Sequence, residues 1–333
     1  MTKPKNRDDI QLLKELQAFK IEFLENIQKK IIGQTKAIEE ILIALMAQGH
    51  ILILGVPGLA KTLIVRSIAE LFQLQFRRIQ FTPDLMPSDI LGTNILQEDT
   101  KTKSRHFSFV PGPIFSNFLL ADEINRTPPK TQAALLEAMQ EKQVTINNVT
   151  RRLDEPFFVL ATQNPIEQEG TYPLPESQLD RFMFCTKIEY PATKKDEVDI
   201  VLKTTTDSNF IYSTILTRDK LTAFQKLIRR IPVPQDVAEL AVEIVRKTRP
   251  QTNNALEFVQ KYLDWGAGPR AAQCLILAAK ANAALSGKPV IGASDVRKFA
   301  LSVLRHRLVL NYLAQADNVV VDQIVEMILN SID

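Results

Sequence analysis

The chain has 333 residues, of which 45% are hydrophobic and 24% charged, the balance of an ordinary globular protein of about two domains. That composition excludes a largely disordered or fibrous chain. Forty-one basic against thirty-eight acidic residues leave a net charge of only +3, which disfavours a general polyanion binder and so nucleic acid as main partner. The N-terminal MTKPKNRDDIQLLKEL lacks the apolar core of a signal peptide, and the longest greasy stretch, 41–56, is interrupted by Gln48, Gly49 and His50. The expectation is a cytoplasmic protein with no membrane span. Cys185 and Cys274 read as reduced core thiols, and His50, His106 and His306 are too few and too scattered for a structural zinc site.

Residues 9–30 carry Ile10, Leu13, Leu16, Leu24 and Ile27 at helical spacing, and a second helix over 34–47 stops at Gly49 as its C-terminal glycine. His50–Leu54 (HILIL) is a continuous apolar run, the signature of a strand buried on both faces. Phe118–Ala121 and Phe157–Ala161 repeat it, and Phe182–Ile188 is a weaker fourth. Helices over 61–72 and 127–141 separate these strands, which argues for a parallel sheet in an α/β layer. Beyond Tyr190-Pro191 no strand is expected. Helices are read at 194–206, 219–230, 234–248, 255–265, 269–286, 294–305 and 319–330. The predicted organisation is an α/β core over 1–190, N-terminal helices included, followed by an all-α domain over 191–333.

The first strand runs straight into Gly55-Val56-Pro57-Gly58-Leu59-Ala60-Lys61-Thr62 and then a helix. This is G-x-x-x-x-G-K-[ST] with alanine as its last glycine. Backbone N–H groups of such a loop cradle phosphates, the lysine meets the β/γ oxygens and the hydroxyl meets Mg²⁺. Alanine at 60 requires that the position avoid backbone angles open only to glycine. The next apolar strand ends in Asp122-Glu123, a metal-directed aspartate and a glutamate able to polarise water. The third ends in Ala161-Thr162-Gln163-Asn164-Pro165, where an uncharged amide, Asn164, can orient that water. Arg181 precedes the fourth strand. Arg270 falls in the first turn of a helix capped by Gly268 and opened by Pro269, a position that calls for a compensating anion, phosphate or carboxylate.

Together these residues resemble the MoxR family of AAA+ ATPases, within the helix-2-insert clade. The likeness covers nearly the whole chain. It is carried by IIGQ at 31–34, GVPGLAKT at 55–62, LADEINR at 120–126, ATQNP at 161–165, LPESQLDRF at 174–182 and GAGPRA at 266–271. Gly268 stands where the family usually has serine. The resemblance implies a P-loop α/β core with a helical lid, ATP and Mg²⁺ as cofactors, and nucleotide contacts from Ile32, Gly33 and Gly55 through Leu63. It implies Thr62 and Asp122 at the metal, Glu123 as catalytic glutamate and Asn164 as first sensor. Arg181 would be a finger reaching a neighbouring subunit, placed at the opposite edge of the sheet from its own phosphate loop, and Arg270 a second sensor acting from the lid. Asp89–Phe109 and Val144–Leu153 would be two hairpins available for remodelling or substrate contact.

The function so implied is Mg²⁺-dependent ATP hydrolysis by a ring, hexameric by analogy. The ring would remodel or activate a protein client in a chaperone-like way, with a von Willebrand A domain protein as a possible partner and metal insertion as one such task. A DNA-remodelling or helicase-like motor is the alternative, suggested by Lys101, Lys103, Arg105, Arg151 and Arg152 on the two hairpins. A nucleotide-gated scaffold without hydrolysis is a third, against which the Asp122-Glu123 pair argues.

Overall fold

The computed structural model describes residues 7–56, 58–98, 105–165, 170–205, 212–252 and 254–332. Its centre is a five-stranded sheet built from β1 (Ile51–Leu54), β2 (Phe76–Gln80), β5 (Phe118–Asp122), β8 (Phe158–Gln163) and β9 (Phe184–Lys187), in the spatial order β2-β5-β8-β1-β9. Every pairing is parallel. The four apolar runs became strands because helices cover both faces. Ile51, Ile53, Phe118, Leu120, Phe158 and Leu160 enter one core, while Leu52, Leu119, Ala121, Val159 and Ala161 enter the other. Helix Lys61–Leu71 packs in the first core and helix Pro129–Glu141 in the second.

The strand that sequence reading missed is β2. It lies at the sheet's edge, where only Ile79 is buried and Arg77, Arg78 and Gln80 are exposed, so it lacks the apolar run of the inner strands. Two antiparallel hairpins branch off, β3 (Gly92–Glu98) with β4 (Arg105–Pro111) and β6 (Gln143–Ile146) with β7 (Val149–Arg152); the first starts later than the expected Asp89, because Pro87–Leu91 is a short helix. Their registers end close together, for Arg151 lies 3.9 Å over the ring of Phe109.

The C-terminal part corrects three expectations. It is mainly helical, yet β10 (Leu263–Trp265) pairs antiparallel with β11 (Val309–Leu310), and the helix expected over 255–265 therefore ends at Tyr262. Two residues cannot announce a strand by periodicity. The helix expected over 294–305 divides at Phe299 into Ala293–Lys298 and Ala300–Leu304, and a short helix, Tyr312–Ala316, had no counterpart in the reading. Gly49 also has a different task. The left-handed residue closing helix Thr35–Met46 is Gln48, at φ 59°. A Cβ on Gly49 would fall 2.5 Å from Met183 Sδ, so glycine is needed there for space.

The N-terminal helix Arg7–Lys30 packs on the C-terminal helices as well as on the core. Phe19 meets Phe72 at 5.6 Å and Phe224 at 6.0 Å, and Arg230 pairs with Asp9 at 2.6 Å. A single apolar cluster thereby runs from Leu16 through Ile53 to Ile328. Among the described residues no helix is long and apolar enough to cross a membrane.

Candidate functional site

Parallel pairing brings the carboxyl ends of β1, β5 and β8 to one edge, with Leu54 level with Gln163 and Ala121 level with Ala161. The loop after β1 starts with Gly55, whose Cα sits so close to β9 that a Cβ would be 3.0 Å from Ile188 O. Val56 follows, Pro57 lies outside the described residues, and Gly58 takes φ 86°. Ala60 is at φ 54°, ψ 20°, in the left-handed region that favours glycine, rather than avoiding it. No side chain caps the helix that begins at Lys61. Its first-turn N–H groups have no intrahelical acceptor, the arrangement that receives an anion. Lys61 Nζ folds back and donates to Gly55 O at 2.8 Å, so its charge sits across the loop, and Thr62 follows it in the first turn.

The acidic pair is held from two neighbouring strands. Asp122, nearly buried, accepts from Thr162 Oγ1 at 2.6 Å on Oδ1 and from Arg78 Nη2 and Nε at 2.7 and 3.2 Å on Oδ2. Glu123 takes a left-handed backbone, φ 58°, and its N–H donates to the same Thr162 hydroxyl at 2.9 Å. Its Oε2 accepts from Gln80 Nε2 at 2.7 Å and pairs with Arg126 Nε at 3.2 Å. A left-handed non-glycine residue held by three partners is local backbone strain. Asn164 is buried at the end of β8. Arg78, Gln80, Thr162 and Arg126 were missed by sequence reasoning. The available signal was Thr162, which ends the apolar run of β8 ahead of Gln163.

Beside the loop is a cavity of about 330 Å³ lined by Ile32, Leu59, Ala60, Leu63, Tyr190 and Val201, among others. Gly58 also lines it, and Gly33, at φ 69°, adjoins Ile32. The cavity thus lies between the core and helix Lys194–Thr204, at the junction of the two parts of the chain. Tyr190 and Val201 were not foreseen because they carry no motif.

Arg181 and Arg270 are elsewhere. Arg181 precedes β9, at the end of the strands where Met183 N–H donates to His50 O, whereas the phosphate loop follows β1. Since β9 lies directly beside β1, the separation is along the strands, and the expected placement at the opposite edge of the sheet is corrected. Arg181 Nη1 donates to Leu136 O at 2.8 Å and its Nε is buried without a hydrogen-bond partner. Arg270 is 3.6 Å from Asp180, the residue before Arg181, so the anion at that helix start is a carboxylate of the loop that carries Arg181. Buried Arg307 ties the same loop down, reaching Asp180 Oδ1 at 2.7 Å and Phe182 O at 2.6 Å. Burial, with Arg307 and Arg305 alongside, holds the neighbouring His306 well below the usual histidine range, and its Nε2 bonds Phe182 O at 3.0 Å.

The donors at the carboxyl edge fit a hard cation. They are oxygens, the Thr62 hydroxyl and the Asp122 carboxylate. Among the described residues no cluster of three or more His, Cys, Asp or Glu could hold a metal alone. Such a set suits Mg²⁺, which keeps waters and substrate phosphates as most of its ligands. Of the hairpin cations, Lys101 and Lys103 lie outside the described residues, Arg105 pairs with Glu98 at 3.1 Å and Arg151 covers Phe109.

Comparison with known proteins agrees with this geometry. Residues 50–184 match the family model "ATPase family associated with various cellular activities (AAA)", and residues 256–328 match "AAA lid domain". The chain is 40% identical over 306 residues to "Chaperone MoxR1" of Mycobacterium tuberculosis, covering 92% of this chain and 80% of that protein. It is 39% identical over 310 residues to the uncharacterised YeaC of Bacillus subtilis, 93% of this chain and 92% of the relative. A solved structure of a candidate ATPase from Cytophaga hutchinsonii shares 40% identity, covers 97% of each chain and superposes with a TM-score of 0.89.

Proposed function

The chain belongs to the MoxR family of AAA+ ATPases, and from that premise we propose that it binds ATP with Mg²⁺ in the cleft after β1 and hydrolyses it. The observation that carries the reading is the uncapped helix start at Lys61 sharing one sheet edge with Asp122-Glu123. The base would lie in the cavity by Ile32 and Gly33, with Val201 opposite, and the phosphates along Gly55–Thr62. Lys61 would leave Gly55 O for the β/γ oxygens. Mg²⁺, held by Thr62 and Asp122, would supply neutralisation of developing phosphate charge. Glu123 would take a proton from the attacking water, which Asn164 orients.

Arg181 and Arg270 lie past the opposite ends of the strands, with Asp180 between them. From there they serve a neighbouring subunit's cleft better than their own, so we read them as cations contributed across the interfaces of a ring, hexameric by family analogy. On this reading Arg270 remains a second sensor acting from the lid, with a neighbour's phosphates as its target. A chaperone-like action on a protein client follows from the name of the relative MoxR1, and a von Willebrand A domain partner and a cytoplasmic location belong to the same reading. The division into 1–190 and 191–333 is one of connectivity, since the apolar cluster runs through both.

The test separates binding from chemistry. Lys61→Ala should lose most ATP affinity, because the phosphate charge loses its fixed cation, while Glu123→Gln should bind ATP and lose turnover. Wild-type ATP binding in both variants would refute the phosphate-loop assignment.

A further inference from the structure

Asp122 already has a cation. Arg78, in the middle of edge strand β2, donates from Nη2 and Nε to Asp122 Oδ2 at 2.7 and 3.2 Å, while Thr162 occupies Oδ1. The same Nη2 donates to Gln80 Oε1 at 2.6 Å, which turns the Gln80 amide so that Nε2 donates to Glu123 Oε2 at 2.7 Å. One arginine therefore holds the metal-directed carboxylate and, through Gln80, the water-activating one. Neither the phosphate-loop motif nor the acidic pair calls for a cation at this position.

We propose that Arg78 is an internal counter-ion for Asp122, a positioning residue that keeps this carboxylate oriented before nucleotide arrives and yields it to the incoming divalent cation. The proposal rests on the ATPase reading above. Both guanidinium N–H groups converge on Oδ2, so a metal ligated there would stand in direct repulsion with Arg78, and one of the two must leave. Arg78 can leave at little expense, because its side chain is 46% exposed on the outer strand of the sheet and no core opens when it swings away. Its departure also removes the bond that orients Gln80, so Glu123 loses a restraint only when Asp122 has exchanged its partner. The pairing thus links occupation of the metal ligand to release of the general base.

The test uses Mn²⁺ as the probe, titrated by its paramagnetic resonance signal into the full chain saturated with ADP. Because the Arg78 end of the pair is half-exposed, it opposes metal binding only modestly, so Arg78→Gln should bind Mn²⁺ about three- to five-fold more tightly than wild type. Arg78→Lys, which restores a cation, should return toward the wild-type midpoint. Arg77→Gln removes the adjacent charge on the opposite face of the strand and should leave the midpoint unchanged. Arg78→Met gives the same comparison should Arg78→Gln fail to fold. An Arg78→Gln midpoint equal to wild type, or an equal shift in Arg77→Gln, overturns the proposal while the ATPase reading stands. Absence of ADP-dependent Mn²⁺ uptake by the wild-type chain overturns both.

Discussion

Ala60 stands at φ 54° and Glu123 at φ 58°, two non-glycine residues in left-handed conformation at the two halves of one site. Each costs about 1 kcal/mol relative to the right-handed region. The helix start at Lys61 holds the first in place, and the 3₁₀ turn Ile124–Arg126 holds the second. His50 shows the reverse case, a polar residue with every need met. Its Nδ1 accepts from Val159 N–H at 3.0 Å and its Nε2 faces Met139 O at 3.2 Å, which requires the neutral ring with the proton on Nε2. Burial pushes its pKa from 6.5 down to about 4. The unfolded chain then takes up a proton that the folded one refuses, so His50's contribution is full above about pH 6.5 and is lost as pH falls toward 4. Stability should drop by about 3 kcal/mol through that window on this account, read as a falling urea midpoint. His50→Asn should show a shallower acid slope than wild type; equal slopes would refute the assignment.

At the scale of elements, the β3–β4 hairpin depends on two glycines at its neck. Gly92 takes φ 97°, and a Cβ there would be 2.4 Å from Val110 O; a Cβ on Gly112 would be 2.2 Å from Ile90 O. The strands leave the core through a gap that admits only backbone. Beyond it the hairpin is lightly anchored, by Phe109 against Phe115 at 5.7 Å and under Arg151, and it exposes Leu96 and Phe107 side by side. Gly92→Ala should therefore destabilise the neck by more than about 2 kcal/mol. The expected result is faster proteolysis within 92–111 with ATP affinity unaltered, since β1 and its loop lie outside the strained contact. Cleavage as slow as in wild type would show that the neck can relax.

At the scale of the whole molecule, Arg181 and Lys61 sit at opposite ends of adjacent strands, and one subunit cannot bring them together without unfolding β9 from β1. An arginine supplied in trans can add roughly 10³–10⁵ in rate with little effect on ground-state affinity. Arg181→Ala should bind ATP nearly as wild type and hydrolyse poorly at every protein concentration. Mixed with Lys61→Ala, and once co-assembly is confirmed, it should regain some activity, because an intact loop then meets an intact arginine from its neighbour. A mixture as inactive as its parts would assign Arg181 to its bond with Leu136 O instead. The anchoring of Arg181's loop by Arg307 and Arg270 through Asp180 gives the C-terminal helices a mechanical hold on that arginine.

The central strands and the residues at their ends were legible in the amino-acid order alone. A strand covered on both faces must be apolar throughout, so β1, β5 and β8 stood out as runs, and the phosphate loop, Asp122-Glu123 and Asn164 each follow such a run by a residue or two. Edge strand β2 was hidden because its Arg78 and Gln80 are satisfied by Asp122 and Glu123, partners more than forty positions away whose adjacency only the sheet order creates. The two-residue β11 exists only through its pairing with β10, and Arg270 meets Asp180 only because the C-terminal helices fold back against the start of β9. Local periodicity records which faces are buried. It does not record which distant segment buries them, and that choice, made by packing, set the partners of Asp122, Arg78 and Arg270.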